Sequence, residues 1–190
     1  MELILIRHGL PERSGVTSDP PLSPQGVEQA RRVAAALQGD RVEAVFASTM
    51  RRAIQTAEPY AALAGHEVQT EEGIVEFDRD SGTYVPLEVL KREDYAAWTA
   101  FVERGADSTI VAFQKVVVAT LEDIVARNSG RTVAVFCHGG VINVWTAHIL
   151  GMSPRLFFEP AYTSVHRYLC ARSGQRNLVS LNDIAHLRGA

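Results

Sequence analysis

The sequence predicts an α/β fold: three layers, α/β/α, around a mostly parallel sheet, with a small helical cap. Three observations carry this expectation. Short apolar runs of strand type alternate with segments whose apolar residues recur every three to four positions. The alternation is interrupted once, over residues 77–128, by two consecutive helical patterns. A chain of 190 residues, 46% hydrophobic and 22% charged, suits one domain with a packed core. Residues 1–190 are therefore expected to form a single domain, with 77–128 contributing the cap.

The elements follow in order. Leu3 to Ile6 is a buried-strand run. Ser23-Pro24 starts a helix, because Ser suits the N-cap and Pro the first turn. Val27, Ala30, Val33, Ala34 and Leu37 give that helix its apolar face, and Gly39 closes it. Val42 to Ala47 is the second strand, and Met50 to Ala64 the second helix, with a kink expected at Pro59 and a stop at Gly65. A short strand lies near Glu67 to Thr70, and Glu76 to Val85 is irregular. Leu87, Leu90, Tyr95, Trp98 and Phe101 form one helical stripe. Ile110, Phe113, Val117, Leu121 and Ile124 form the next, capped by Asp107 or Ser108. Thr132 to Cys137 is a strongly apolar strand, and Val141 to Leu150 a helix ending at Gly151. Ser164 to Ala171 and Asn177 to Leu181 form a hairpin around Ser173-Gly174. The tail after Asn182 carries no clear signal.

Composition narrows the function classes. The net charge is −3, which argues against a general nucleic-acid binder. Lys91 and Lys115 are the only lysines among 19 basic residues. A coding bias toward Arg accounts for the bulk of that surplus, so the position of an Arg matters more than its abundance. Cys137 and Cys170 imply no disulfide framework, which points to a reducing compartment. The start, Met1 to Arg7, is too short and too early-charged for a signal peptide, and no apolar stretch reaches the length of a membrane span. A cytoplasmic protein with neither nucleic acid nor membrane as partner is expected; its oligomeric state is left open.

Two places share one pattern, a buried strand that ends in His followed by Gly: Ile6-Arg7-His8-Gly9 and Phe136-Cys137-His138-Gly139-Gly140. Ligands of open α/β sheets sit beyond the carboxyl ends of strands, and Gly there lets the chain turn sharply and a ligand approach the backbone. If the two strands are neighbours, both histidines lie on one rim. The strand 42–47 delivers Arg51, Arg52 and a helix N-terminus, which attracts anions, to the same rim. Arg7, His8, Arg52 and His138 together would make a cationic, donor-rich pocket on an acidic protein, whose natural guest is a phosphoryl group. A His in such a pocket can be a nucleophile and divide a hard transfer into two easier steps.

These residues resemble a known family. Leu5-Ile6-Arg7-His8-Gly9 is similar to the signature of the histidine phosphatase superfamily, the phosphoglycerate mutase-like enzymes. Leu22 to Ala30 resembles that family's helix start, Ser48 to Ala57 its Arg-Ala-x-x-Thr-Ala segment, and His138-Gly139-Gly140 its late His-Gly-Gly. The resemblance implies a phosphoglycerate mutase-like fold and a phosphohistidine mechanism without metal or cofactor, Arg and His neutralising charge that other enzymes give to Mg²⁺. His8 matches the nucleophile. Arg7, Arg52 and His138 match the phosphate clamp, with Gly139 beside them. Ile74-Val75-Glu76 resembles the family's Leu-x-Glu, so Glu76 matches the acid that protonates the leaving oxygen and then activates water. Glu12, Glu71, Glu72, Asp78 and Asp80 are nearby competitors for that role.

The sequence also departs from the family. Leu10-Pro11 stands where many members have Glu or Gln and then Ser or Thr. Arg13 falls where many have an Asn that helps hold phosphate; it either replaces that Asn or lies in solvent. The stretch after Glu76 is unlike the family's, and Ala161-Tyr162-Thr163-Ser164 lacks the frequent Asn before the Thr/Ser. These changes bear on the substrate, and Arg79, Tyr84, Trp98 and Arg104 are the cap residues placed to shape it, although Trp98 suits core packing at least as well.

Rival chemistries lack their motifs. A cysteine phosphatase at Cys137 would need Arg six residues on, where Asn143 stands. Neither Lys follows Gly as a P-loop requires. No His-Glu-x-x-His occurs for zinc, and no Gly-x-Gly-x-x-Gly for a nicotinamide. His66, His148, His166 and His186 are isolated. The expected activity is hydrolysis of a small phosphomonoester. The alternatives are mutase-type phosphotransfer, a phosphoprotein or phosphohistidine phosphatase, and a non-catalytic phospho-ligand module.

Overall fold

The computed structural model describes residues 1–14, 17–77, 79, 87–103 and 107–188. Asp78, Asp80, Tyr84 and Arg104 therefore lie outside the described residues. The strands are β1 (Glu2–Arg7), β2 (Ala44–Ser48), β3 (Val68–Glu71), β4 (Thr132–Cys137), β5 (Val165–Cys170) and β6 (Arg176–Asp183). They form one sheet in the order β3-β2-β4-β1-β5-β6. The first four are parallel, and β5 and β6 close the far edge as an antiparallel hairpin. The helices are α1 (Pro24–Ala36), α2 (Arg51–Ala64), α3 (Leu87–Glu93), α4 (Tyr95–Glu103), α5 (Ser108–Arg127) and α6 (Gly139–Ile149).

The central strands are apolar along both faces because both faces are covered. Ile4, Ile6, Ala134 and Phe136 pack with Val33 and Ala34 of α1 and with Ala57 and Tyr60 of α2. The alternate residues, Leu3, Leu5, Val133 and Val135, pack with Val117, Leu121 and Ile124 of α5 and Trp145 of α6. Burying each Val, Leu, Ile or Phe side chain among them contributes about 1.5–3 kcal/mol. The three expected layers follow from that alternation.

Several local expectations are met by specific bonds. Ser23 caps α1 by accepting from the Gly26 N–H at 3.1 Å. Asp107, not Ser108, caps α5 through the N–H groups of Thr109 and Ile110, both at 2.9 Å. Three features differ from the sequence reading. The stripe over 87–101 is broken into α3 and α4 at Asp94, whose carboxylate accepts from Ala97 N–H at 2.9 Å and restarts the helix. Of the stretch 77–128, α5 is a core helix of the sheet layer, its Val117, Leu121 and Ile124 fully buried. The tail also has structure: β6 runs on to Asp183 and is followed by a 3₁₀ turn at Ala185–Leu187.

Strand register sets the rim. Arg7 of β1 lies opposite Cys137 of β4, and the His8 N–H donates to the Cys137 carbonyl at 2.9 Å. The two His-Gly turns thus leave the sheet side by side. The loop after His8 is pressed onto the start of α1. A Cβ added at Gly26 would lie 2.0 Å from the Leu10 carbonyl oxygen, and the Leu10 N–H donates to Gln29 Oε1 at 2.8 Å. Gly26→Ala is therefore expected to destabilise the protein by about 1–3 kcal/mol, since backbone on both sides must shift. Urea unfolding checks this; an unchanged midpoint would refute the close approach.

Candidate active site

His8 is buried, and its two ring nitrogens have partners of opposite kind. Nδ1 lies 2.8 Å from the Gly9 carbonyl oxygen, which can only accept, so Nδ1 carries the proton. Nε2 receives the Nε–H of Arg52 at 3.2 Å, so Nε2 holds the lone pair. Burial first, then the charges of Arg52, His138 and Arg7, hold its pKa well below the usual range. The imidazole is neutral, in one tautomer, with Nε2 facing the Arg52 guanidinium.

Arg52 has no exposed surface. Its Nη1 donates to the Ser18 carbonyl at 3.0 Å and faces the Asp19 carboxylate at 3.5 Å. The same carboxylate accepts the Arg51 N–H at 3.0 and 3.1 Å, so the anion at the N-terminus of α2 is the chain's own Asp19. Arg51 itself is exposed, and Arg52 is the one turned inward. Thr56, one turn on, accepts the Gly9 N–H at 3.0 Å and donates to the Arg52 carbonyl at 2.6 Å. That pair locks the His8 turn to α2.

His138 is fully buried, its ring centroid 5.1 Å from that of His8. Ser48, at the end of β2, meets its Nε2 at 2.8 Å. Among the described residues, its buried Nδ1 has no hydrogen-bond partner. A buried ring nitrogen left unmatched is unfavourable by itself, and most buried polar atoms have a partner. Burial, Arg52 and Arg7 lower its pKa as well.

Arg7 crosses the start of α6. A Cβ at Gly139 would touch its guanidinium at 3.8–4.0 Å, an ordinary contact, so Gly139 lies beside it. Arg7 Nη1 donates to the Pro160 carbonyl at 2.5 Å, and its Cζ stands 4.0 Å over the centre of the Tyr162 ring. Glu76 sits at the other side of the same helix start. Its Oε2 accepts the Gly140 N–H at 2.9 Å, and its Oε1 the Phe77 N–H at 3.2 Å. A Cβ at Gly140 would lie 2.1 Å from Oε1, so a side chain there would displace the Glu76 carboxylate. Asn143, one turn into α6, donates to the carbonyls of Gly139 and Phe158 at 2.9 and 3.0 Å. It also accepts from Phe157 and Phe158, tying the segment before Pro160 to the helix.

The structure thus gathers Arg7, His8, Arg52, Glu76, His138 and Gly139 at one rim. Arg13 is exposed and makes no hydrogen bond or ion pair among the described residues, so nothing draws it to the cluster. Arg79 is exposed and paired with Glu72 at 2.8 Å. Trp98 stacks on Tyr95 and lines a hollow of about 320 Å³ with Lys91 and Phe157. Cys137 is buried and its thiol pKa is pushed far up by burial, which removes thiolate chemistry. Sequence reasoning missed Ser48, Asp19, Asn143 and Tyr162 as supports of the site. Ser48 and Tyr162 both stood in quoted segments, but nothing in their spacing showed what they touch.

A family model described as the histidine phosphatase superfamily (branch 1) matches residues 3–184. The chain is 27% identical to phosphoserine phosphatase 1 of Hydrogenobacter thermophilus, covering 98% of this chain and 94% of that protein. Among solved structures it resembles a histidine-to-alanine mutant of phosphoserine phosphatase from Entamoeba histolytica in complex with phosphoserine. The TM-score there is 0.78, at 28% identity and 98% coverage of both chains. A mycobacterial glucosyl-3-phosphoglycerate phosphatase bound to vanadate shares the fold, with a TM-score of 0.81 at 20% identity over 95% of this chain and 98% of that one. Among the described residues, no helix is long and apolar enough to cross a membrane.

Behind the rim, His166 of β5 is buried as well. Its Nδ1 accepts the Asn182 N–H at 3.2 Å and its Nε2 meets Ser164 Oγ at 2.9 Å. Burial and the nearby Arg7 charge lower its pKa to about 3. The folded chain therefore refuses a proton that the unfolded chain accepts below 6.5. Stability is full above that pH and is lost as pH falls toward 3, by about 1.4 kcal/mol per pH unit within the window. His8 and His138 act in the same direction. His166→Gln should flatten the pH dependence of the unfolding free energy between about pH 6 and 4 by one proton's worth. An unaltered slope in urea titrations would contradict it.

Proposed function

The chain belongs to branch 1 of the histidine phosphatase superfamily, a hydrolase of phosphomonoesters, and we propose that it works through a phosphohistidine at His8. The observation that supports this most directly is the fixed tautomer of His8, whose ring lies 5.1 Å, centroid to centroid, from that of His138. In the first step Nε2 attacks phosphorus and the bond to the leaving oxygen breaks. Glu76 supplies the proton that this oxygen needs, and Arg7, Arg52 and His138 bind the three phosphoryl oxygens as charge spreads over them. In the second step water attacks the phosphohistidine and the P–N bond breaks. Glu76 takes the proton from water, and inorganic phosphate leaves. The side chains supply the charge neutralisation, so the reaction requires no metal.

The substrate class we assign is a small phosphorylated metabolite, with phosphoserine as the first candidate. The two phosphoserine phosphatases that span essentially the whole chain support that choice. We assign the cover of the pocket to α3 and α4. Lys91 of α3 bonds Glu159 at 3.0 Å, next to the Pro160 that holds Arg7. Two buried free thiols, Cys137 and Cys170, fit a reducing cytoplasm.

A screen of phosphometabolites by kcat/KM tests the reading, and phosphoserine should rank among the best. Rapid quench with labelled substrate should trap an acid-labile, base-stable phosphoenzyme that His8→Ala lacks. Full turnover by His8→Ala would sink the mechanism. Glu76→Gln should slow alkyl phosphates by about 10²–10⁴-fold and p-nitrophenyl phosphate much less, because that leaving group needs little protonation. Equal losses on both would move the acid to another residue.

A further inference from the structure

The Tyr162 ring does two things at once. It lies flat enough against Arg7 to bring Cζ within 4.0 Å of the ring centre, and its centroid is 5.7 Å from that of His8. The backbone that aims it is unusual. Thr163 adopts the left-handed region, with φ of 56°, which a β-branched residue avoids. Bonds hold it there: its N–H donates to the His8 carbonyl at 3.3 Å, and its hydroxyl contacts the Tyr162 carbonyl at 2.7 Å and His186 Nε2 at 3.0 Å. A strained residue maintained by converging bonds beside a catalytic group points to function.

We infer that Tyr162 is a positioning residue for this phosphatase: it fixes the plane of the Arg7 guanidinium for the transferring phosphoryl group. Arg7 has four side-chain torsions to restrain. Gly139 backs it, the Pro160 carbonyl fixes Nη1, and the Tyr162 face fixes the plane. Without the ring there is room to swing away, because Arg7 and Tyr162 together wall a hollow of about 360 Å³ with Gln29, Pro160 and Leu187. A flat aromatic face suits a guanidinium, while an aliphatic side chain of similar bulk would fill space without holding its plane.

The inference rests on the phosphatase reading above, and the experiment separates the two. Wild type, Tyr162→Phe, Tyr162→Leu and Tyr162→Asn are compared for kcat and KM on p-nitrophenyl phosphate. Inorganic phosphate binding is followed by calorimetry and folding by thermal melts. Tyr162→Phe should stay within about threefold of wild type, because the face is kept. Tyr162→Leu and Tyr162→Asn should lose about 10–100-fold in kcat/KM, with weaker phosphate binding and a melting temperature close to wild type. If the Leu variant does not fold, the Asn variant decides. In an Arg7→Lys background the Leu substitution should add less than about threefold, since the group it positions is gone. The inference is overturned if the folded Leu or Asn variant keeps wild-type kcat/KM, if Phe is as impaired as Leu, or if the losses multiply with Arg7→Lys. A wild-type protein that neither hydrolyses the ester nor binds phosphate would instead overturn the phosphatase reading.

Discussion

The register of β1 against β4 is the constraint on which the site depends. With Arg7 opposite Cys137, the two strands end together, and His8 and His138 emerge with ring centroids 5.1 Å apart. A one-residue slip would turn every side chain of β1 to the other face and mix the two cores. The apolar pattern forbids that slip. Leu3 and Leu5 belong to the core under α5 and α6, and Ile4 and Ile6 to the core under α1 and α2. The packing that stabilises the sheet is thus the same packing that aligns the chemistry.

Around that rim the protein accepts electrostatic stress. Arg52 is wholly buried, with a carboxylate at 3.5 Å and a neutral imidazole among its side-chain partners. Burying a cation is costly unless it is paired, and Asp19 divides its charge between Arg52 and the start of α2. Both site histidines respond by staying neutral. His8 is thus neutral and singly tautomeric, its Nε2 lone pair engaged by Arg52, and the buried Arg52 charge acts more strongly than it would in water. On the proposed function, the site is organised for the transferred group before that group arrives.

Support for the clamp comes from segments far apart in the chain. Asn143, Pro160, Tyr162 and Thr163 form a shell behind Arg7 and His8, and His186 braces Thr163 from the C-terminal turn. The hairpin edge of the sheet therefore takes part in the site, although its strands only close the fold.

Much of this was legible in one dimension. The alternating periodicities gave the layers, Ser23 and Gly65 gave helix ends, and His-Gly after two apolar strands gave the rim with Arg7, His8, Arg52 and His138. Those signals are local: capping, pleat and helix period act over a few residues, so they survive in sequence. The break at Asp94 was missed because an apolar stripe continues across it while the cap depends on one carboxylate turning back. The membership of α5 in the core was missed because an amphipathic stripe does not say which surface will cover it. The orphan nitrogen of His138, the choice of Asp19 as counter-ion at α2, and the stacking of Tyr162 on Arg7 were decided by tertiary structure alone. Each depends on distances between residues 33 to 155 positions apart, and no spacing along the chain encodes a direction in space.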